Sequence, residues 1–212
     1  MFILTTIQDL IPIKPQELKR ASKHAIEDAI NTKYANRVIQ NVGLCIALWD
    51  IVDTTEGLIG HGDGLVNVNV EFRMVIFRPF RGEIIAARIK YATEEGITLD
   101  VNFTSEIFVP HQHLFPNSVF DRAEGVYIWK TDEGHELFFD KGEPVLFRVE
   151  AEEWIDTQPT VIQKDENGDI IEQRDTSWRV IGSMNQEGLG PSLWWGDQGG
   201  EIEEGDEEGE EA

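Results

Sequence analysis

The chain has 212 residues, 41% of them hydrophobic, enough for one large domain or two small ones with buried cores. Its formal net charge is −22, with 40 acidic residues against 18 basic ones, which excludes tight nucleic-acid binding by counterion release, since that needs clustered Lys and Arg. A single cysteine, Cys45, excludes an intramolecular disulfide, and its apolar neighbours Leu44, Ile46, Ala47 and Leu48 describe a buried thiol rather than a nucleophile.

Residues 2–13 predict a strand ended by Pro12 and Pro15. The opening Met1-Phe2-Ile3-Leu4 has neither a basic region nor a long apolar run, so neither a signal peptide nor a membrane span is expected, and the chain reads as soluble and intracellular. Pro15 suits the first turn of a helix, where its missing N–H is no loss, and Glu17 stands near the positive end of the helix dipole. Leu18, Ala21, Ala25, Ala29 and either Ile26 or Ile30 recur at helical spacing to about Thr32, which predicts one face packed on a sheet. Residues 42–52 are almost continuously apolar, the pattern of a strand covered on both faces or at an interface, with Trp49 anchoring the core. After a loop holding Gly57, Gly60, Gly62 and Gly64, the residues Val66, Val68, Val70, Phe72, Met74 and Ile76 alternate with Asn67, Asn69, Glu71 and Arg73. Residues 1–80 therefore read as one α/β unit, nearly neutral with 9 acids against 8 bases.

Residues 81–200 carry 23 acids against 10 bases, so the acidity begins with a second, β-rich domain. Ile85, Ala87, Ile89 and Tyr91 alternate with Ala86, Arg88 and Lys90. After a turn at Glu94-Glu95-Gly96, Ile97, Leu99, Val101 and Phe103 alternate with Thr98, Asp100 and Asn102. Ile107-Phe108-Val109 stops at Pro110, which cannot donate to a ladder, and the three runs together open a small barrel. Residues 116–124 read as an irregular link, and 126–130 with 136–139 as a hairpin across Asp132-Glu133-Gly134. Val145, Phe147 and Val149 give a further inward face, and 178–184 are expected to close the barrel. Between them, 157–177 form a polar insertion, and 201–212, with 8 acids and no base, an acidic disordered tail.

Gly60-His61-Gly62-Asp63-Gly64 has the glycine spacing of a phosphate loop, but such a loop opens a helix with a Lys nearby. This one precedes a strand and contains an Asp, so it reads as a hairpin tip able to dock on a partner. His111 and His113 share a side if the chain stays extended, yet no Cys or third His stands at ligand spacing, so no metal or cofactor is expected. His24, His61 and His135 have no nucleophile and orienting acid as sequence neighbours, and nothing argues for catalysis. Arg88 and Lys90 share a strand face, and Lys130, Lys141 and Arg148 extend it into a candidate basic stripe for RNA, the alternative being a scatter of solvated charges. Trp194-Trp195, after Gly188-Leu189-Gly190, predicts a pair covering a neighbouring surface.

Gly82, Gly96, Pro110 and Leu114, followed by Gly142-Glu143-Pro144-Val145-x-Phe147-x-Val149, resemble the OB-fold RNA-binding domain repeated in a large ribosomal protein of the bacterial small subunit. Where that domain places stacking aromatics beside its turn glycine, this chain has Glu95 and Thr98. With Asn41-Val42-Gly43-Leu44-Cys45 ahead of the glycine-rich tip, nearly the whole chain resembles the two-domain stalk subunit of archaeal and eukaryotic multisubunit RNA polymerases. Val180-x-Gly182-Ser183-Met184, Gly188-Leu189-Gly190 and Trp194-Trp195 draw it towards the RNA polymerase III member.

The resemblance implies an α+β, mostly β fold, with an N-terminal α/β tip domain at 1–80 and an OB-fold β-barrel at 81–200. It also implies a noncatalytic subunit that pairs with a second, helical stalk subunit and inserts its tip, carried by the Gly43 region and Gly60 to Gly64, into the polymerase core. The barrel would lie near emerging RNA, with initiation and nuclear synthesis of transfer RNA and other short RNAs as the process served. The rival classes are a free-standing OB-fold RNA-binding protein, which calls for a basic barrel with stacking aromatics, and an enzyme using the glycine-rich loop, which calls for a helix and a Lys after Gly64.

Overall fold

Strict alternation in the N-terminal part becomes an antiparallel sheet with one helix on it. The computed structural model describes residues 1–60, 62, 64–131, 134–155, 163–164, 170–171 and 178–198. In chain order these form β1 (Phe2–Ile13), a 3-10 turn at Glu17–Lys19, α1 (Ser22–Tyr34), β2 (Arg37–Ile39), β3 (Gly43–Thr54), β4 (Leu58–Ile59) and β5 (Val66–Phe77). Then follow β6 (Ile84–Thr93), β7 (Gly96–Val101), β8 (Thr104–Pro110), β9 (Ser118–Asp121), β10 (Val126–Lys130), β11 (Glu136–Phe139), β12 (Pro144–Trp154), the two-residue pair β13 (Gln163–Lys164) and β14 (Ile170–Ile171), β15 (Trp178–Ser183) and β16 (Gly190–Pro191). Two compact units result, one of Met1–Glu83 with Ala151–Val180, the other of Ile84–Glu150 with the chain from Ile181 onward. The division crosses the chain within β12 and again within β15.

In the first unit the sheet order is β1-β5-β3-β2, with β4 taking a place beside β5 where β3 ends. Pro12 lies inside β1 rather than ending it. β1 is an outer strand of the sheet, where a missing N–H is tolerated. The expected helix begins late: Glu17–Lys19 is a 3-10 turn, Arg20 is extended at φ −93°, and α1 starts at Ser22. Residues 19–24 offer only Ala21 for burial, too little to hold an earlier turn on the sheet. From Ser22 on the periodicity holds, and Ala25, Ile26 and Ile30 are buried against Ile11, Val70, Phe72 and Met74.

β3 departs from the continuous, doubly covered strand that its composition predicts. Its pairing with β5 slips three times, leaving Ile46, Trp49 and Val52 without opposite numbers. Each bulge resets the alternation, so Trp49 is 63% exposed and is not the core anchor expected of it. The other face of the sheet, at the Phe77 end, is closed by Trp178, edge-on to Phe77 at 6.0 Å and beside Trp154 at 6.0 Å.

In the second unit the ladder runs β15-β8-β7-β6-β12 and closes through a β15–β12 pairing, a five-stranded barrel with β16 appended to β12. Ile85, Ala87, Ile89, Ile97, Leu99, Ile107, Val109, Val145, Phe147 and Val149 fill it. A bulge at Lys90 turns Tyr91 outward, half exposed, where strict alternation had placed it inside. Asn102, at φ 43°, begins a turn, so Phe103 leaves the strand. The expected link at 116–124 contains β9, which adds a third strand to the β10–β11 hairpin on the β10 side and is too short for its alternation to register in the sequence. The 3-10 segment Ser192–Gln198 lays Trp194 against Phe139 at 4.7 Å, Trp129 at 5.4 Å and Phe115 at 6.0 Å, so the surface this tryptophan covers belongs to its own chain.

Candidate docking and RNA-contact surfaces

The glycine-rich loop stands where β3 gives way to β4 beside β5. Gly60 donates its N–H to the Leu65 carbonyl at 2.8 Å, closing the loop, and Thr55 donates to Asn69 at 2.9 Å below it. Gly62 (φ +97°) and Gly64 (φ +68°) occupy the left-handed region that residues with a Cβ avoid. His61 and Asp63 lie outside the described residues. The sequence reading missed the loop's most exposed apolar groups: Leu58 and Ile59 are each 74% exposed, although an apolar pair between Gly57 and Gly60 was the available signal. A groove of about 250 Å³ opens at the same end, lined by Leu18, Ala25, Ile26, Gly57, Val66 and Val68 among others. This end offers apolar groups that a partner's side chains can cover.

Gly43 stands at the other end of β3 from that loop. It starts β3 at the Phe77 end, and eleven further strand residues place it roughly 35 Å from the loop. A Cβ there would come within 2.7 Å of the Phe77 carbonyl oxygen and 2.8 Å of Ile76 Cγ2, at φ +133°, so Gly43 is needed for close packing.

Of the basic candidates, Arg88 and Lys90 lie on β6 and Arg148 on β12, with Arg88 opposite Pro144 and Ile84 opposite Arg148. Lys141 is exposed in the turn before β12, which Arg88 reaches through the Gly142 carbonyl at 3.4 Å. Acids interrupt the row. Lys90 donates to Ser105, which donates to Asp100 at 2.6 Å, and Asp100 is the register partner of Arg88. Arg148 is held by Glu150 at 2.9 Å and donates to Gln186 at 2.7 Å. Lys130 lies apart, on the β9–β11 sheet, paired with Glu136 at 3.0 Å.

The two neighbouring histidines do not share a side, because 111–113 form a 3-10 turn. His111 stacks on Tyr127, while His113 Nδ1 lies 3.2 Å from the Gly182 carbonyl. Among the described residues no cluster of three metal-ligating side chains occurs, and no helix is long and apolar enough to cross a membrane. Burial pushes the Cys45 thiol up to about 11, which leaves it protonated at neutral pH. The insertion at 157–177, apart from the β13–β14 pairing, and the tail at 201–212 lie outside the described residues.

The fold thus comprises a sheet-and-helix unit and a five-stranded barrel, and known sequences match both parts. Residues 8–64 match an SHS2 domain found in the N terminus of Rpb7p and Rpc25p, and residues 83–195 match the family described as RNA polymerase III subunit Rpc25. DNA-directed RNA polymerase III subunit rpc8 of Schizosaccharomyces pombe is 38% identical over 205 residues, covering 92% of this chain and 100% of the relative. The Bos taurus subunit of that name is 36% identical, covering 92% and 98%, and the Saccharomyces cerevisiae one 35% identical, covering 92% and 100%. The chain belongs to the RNA polymerase III subunit Rpc25 family.

Proposed function

We propose that the chain is a noncatalytic stalk subunit of DNA-directed RNA polymerase III. In this reading it forms a heterodimer with a second, helical stalk subunit, docks the tip of its first unit on the polymerase core, and holds its barrel near the emerging transcript during initiation. Its place of work is the nucleus and its process the synthesis of transfer RNA and other short RNAs. The observation that carries the reading is the similarity to named polymerase III subunits over 92% of the chain, both units included. The near-neutral composition of residues 1–80 supports burial of the tip, because charges stranded in an interface are costly. Contact with RNA is assigned to Arg88, Lys90, Lys141 and Arg148 on the barrel, with Lys130 outlying. It is weak and salt-sensitive, because few of these charges are unopposed.

The test is recovery of partners on the tagged full-length chain carrying Gly62→Val and Gly64→Val. A β-branched residue at these dihedrals reshapes the loop while leaving the sheet intact. Pairing with the helical subunit is expected to persist while recovery of core subunits falls. Unchanged core recovery by a folded variant would place docking elsewhere.

A further inference from the structure

A shallow cavity of about 360 Å³ opens beside the β6–β7 turn, with Glu94, Ser118, Arg122 and three rings, His111, Phe120 and Tyr127, in its wall. His111 lies parallel to Tyr127, with centroids 5.7 Å apart and planes at 19°, and Phe120 tilts onto the same ring at 5.2 Å. Tyr127 is buried and donates its hydroxyl to the Glu94 carbonyl at 2.9 Å, which fixes the stack, whereas His111 is exposed. Ser118 is 6% exposed and its buried hydroxyl has no hydrogen-bond partner, an arrangement that calls for a polar ligand group.

Charge decides which ligand. Glu94 and Glu95 stand in the turn, Asp121 ends β9 and Glu124 lies in the chain from β9 to β10, and Arg122 is the one basic residue among them. Arg122 is 80% exposed and meets the 58% exposed Glu94 at 2.6 Å, a surface pair that is readily exchanged. A phosphate approaching this rim is repelled, and a cation is drawn in. A flat cation gains further from the rings, because guanidinium groups stack on aromatic faces and bond carboxylates in bidentate fashion.

We propose that this cavity binds an arginine side chain from a basic segment of a partner protein. The incoming guanidinium replaces Arg122 on the Glu94 carboxylate and stacks on the open face of His111. Its aliphatic stem lies on Phe120, which shares a strand face with Ser118, and a remaining N–H is accepted by the Ser118 hydroxyl. None of these residues belongs to the docking tip or the basic stripe, so the proposal stands apart from the assignment of either.

The experiment is a titration of the isotope-labelled full-length chain, read by amide chemical shifts. One probe is the peptide acetyl-Gly-Arg-Gly-Arg-Gly-amide, the other a single-stranded oligouridine. The peptide is expected to give saturable shifts centred on Glu94, Ser118, Val119 and Phe120, and Glu94→Gln to weaken it about fivefold, the size of one exposed charge pair. His111→Ala weakens it too, and a lysine-for-arginine peptide binds less well because it lacks the planar group. Glu27→Gln, which removes one charge from α1, leaves the affinity unchanged. Equal weakening by Glu27→Gln and Glu94→Gln would show attraction to net charge and overturn the proposal. Shifts at these residues with oligouridine but not with the peptide would overturn it in favour of a nucleotide site.

Discussion

Gly96 offers the sharpest test of the barrel's construction. It stands opposite Pro110 in the β7–β8 ladder, and a Cβ added there would lie 2.2 Å from the Val109 carbonyl oxygen, 2.8 Å from Phe108 Cζ and 2.9 Å from Pro110 Cα. Its φ is not in the left-handed region, so Gly96→Ala meets no dihedral penalty and its whole effect is steric. The oxygen and the Cα are backbone atoms, and relief means parting the strands by about 1 Å. That loosens two ladder bonds, each contributing about 1 kcal/mol, and adds overpacking strain of about 1–3 kcal/mol. The expected loss is about 3 kcal/mol, which lowers the amide-exchange protection of a globally opening barrel by about a hundredfold. Native-state hydrogen exchange at Ile97, Leu99 and Val109 reads this directly. Gly142→Ala is the control, because Gly142 has φ +88° with no atom within 4 Å of the added Cβ, so only the left-handed backbone opposes it, at about 1–2 kcal/mol. If Gly96→Ala lowers protection no further than Gly142→Ala, the close approach of β7 and β8 does not hold the barrel together as argued.

Two carboxylates should respond to pH with opposite signs. For Asp9, burial acts upward but is outweighed by hydrogen bonds from Lys33, Tyr34 and the backbone, which hold its carboxyl below the ordinary 3.8. Asp9→Asn should therefore destabilise at neutral pH, with the deficit vanishing as pH falls below that value. For Glu143, burial and then the Asp140 charge push the carboxyl above 4.5, so the native chain loses stability as pH rises from there. Glu143→Gln should stabilise at neutral pH and have no effect below about 4.5, by urea unfolding at a series of pH values. Trp194→Ala removes a half-buried ring from its seat on Phe139, Trp129 and Phe115, and should lower stability by about 3 kcal/mol and redden the tryptophan emission. Arg88→Glu with Lys90→Glu should weaken oligouridine binding and flatten its salt dependence in filter assays. Tight binding persisting in high salt and indifferent to both substitutions would rule the stripe out.

Much of this architecture was legible in the sequence, because β1, β5 and the first barrel strands alternate at strand period and turns bound them. What escaped it was where the period slips. One extra residue at Ile46, Trp49, Val52 or Lys90 leaves local composition unchanged yet reverses which side faces the core, so Trp49 and Tyr91, inside by composition and alternation, lie outside. The left-handed turn at Gly62 and Gly64 is legible from the glycine spacing, whereas Leu58 and Ile59 resemble any apolar pair until the sheet leaves them uncovered. The acidic cavity escapes the sequence for another reason: His111, Ser118, Phe120 and Tyr127 come from three segments, and the strand that carries Ser118 has the composition of a link.

The central claim is membership of a working polymerase, and purification of the tagged full-length chain from nuclear extract, with quantification of what accompanies it, tests that claim most directly. The account predicts RNA polymerase III core subunits and one helical stalk subunit, each in one-to-one proportion with the chain. Recovery of the chain alone, or with RNA but without the polymerase, would contradict it.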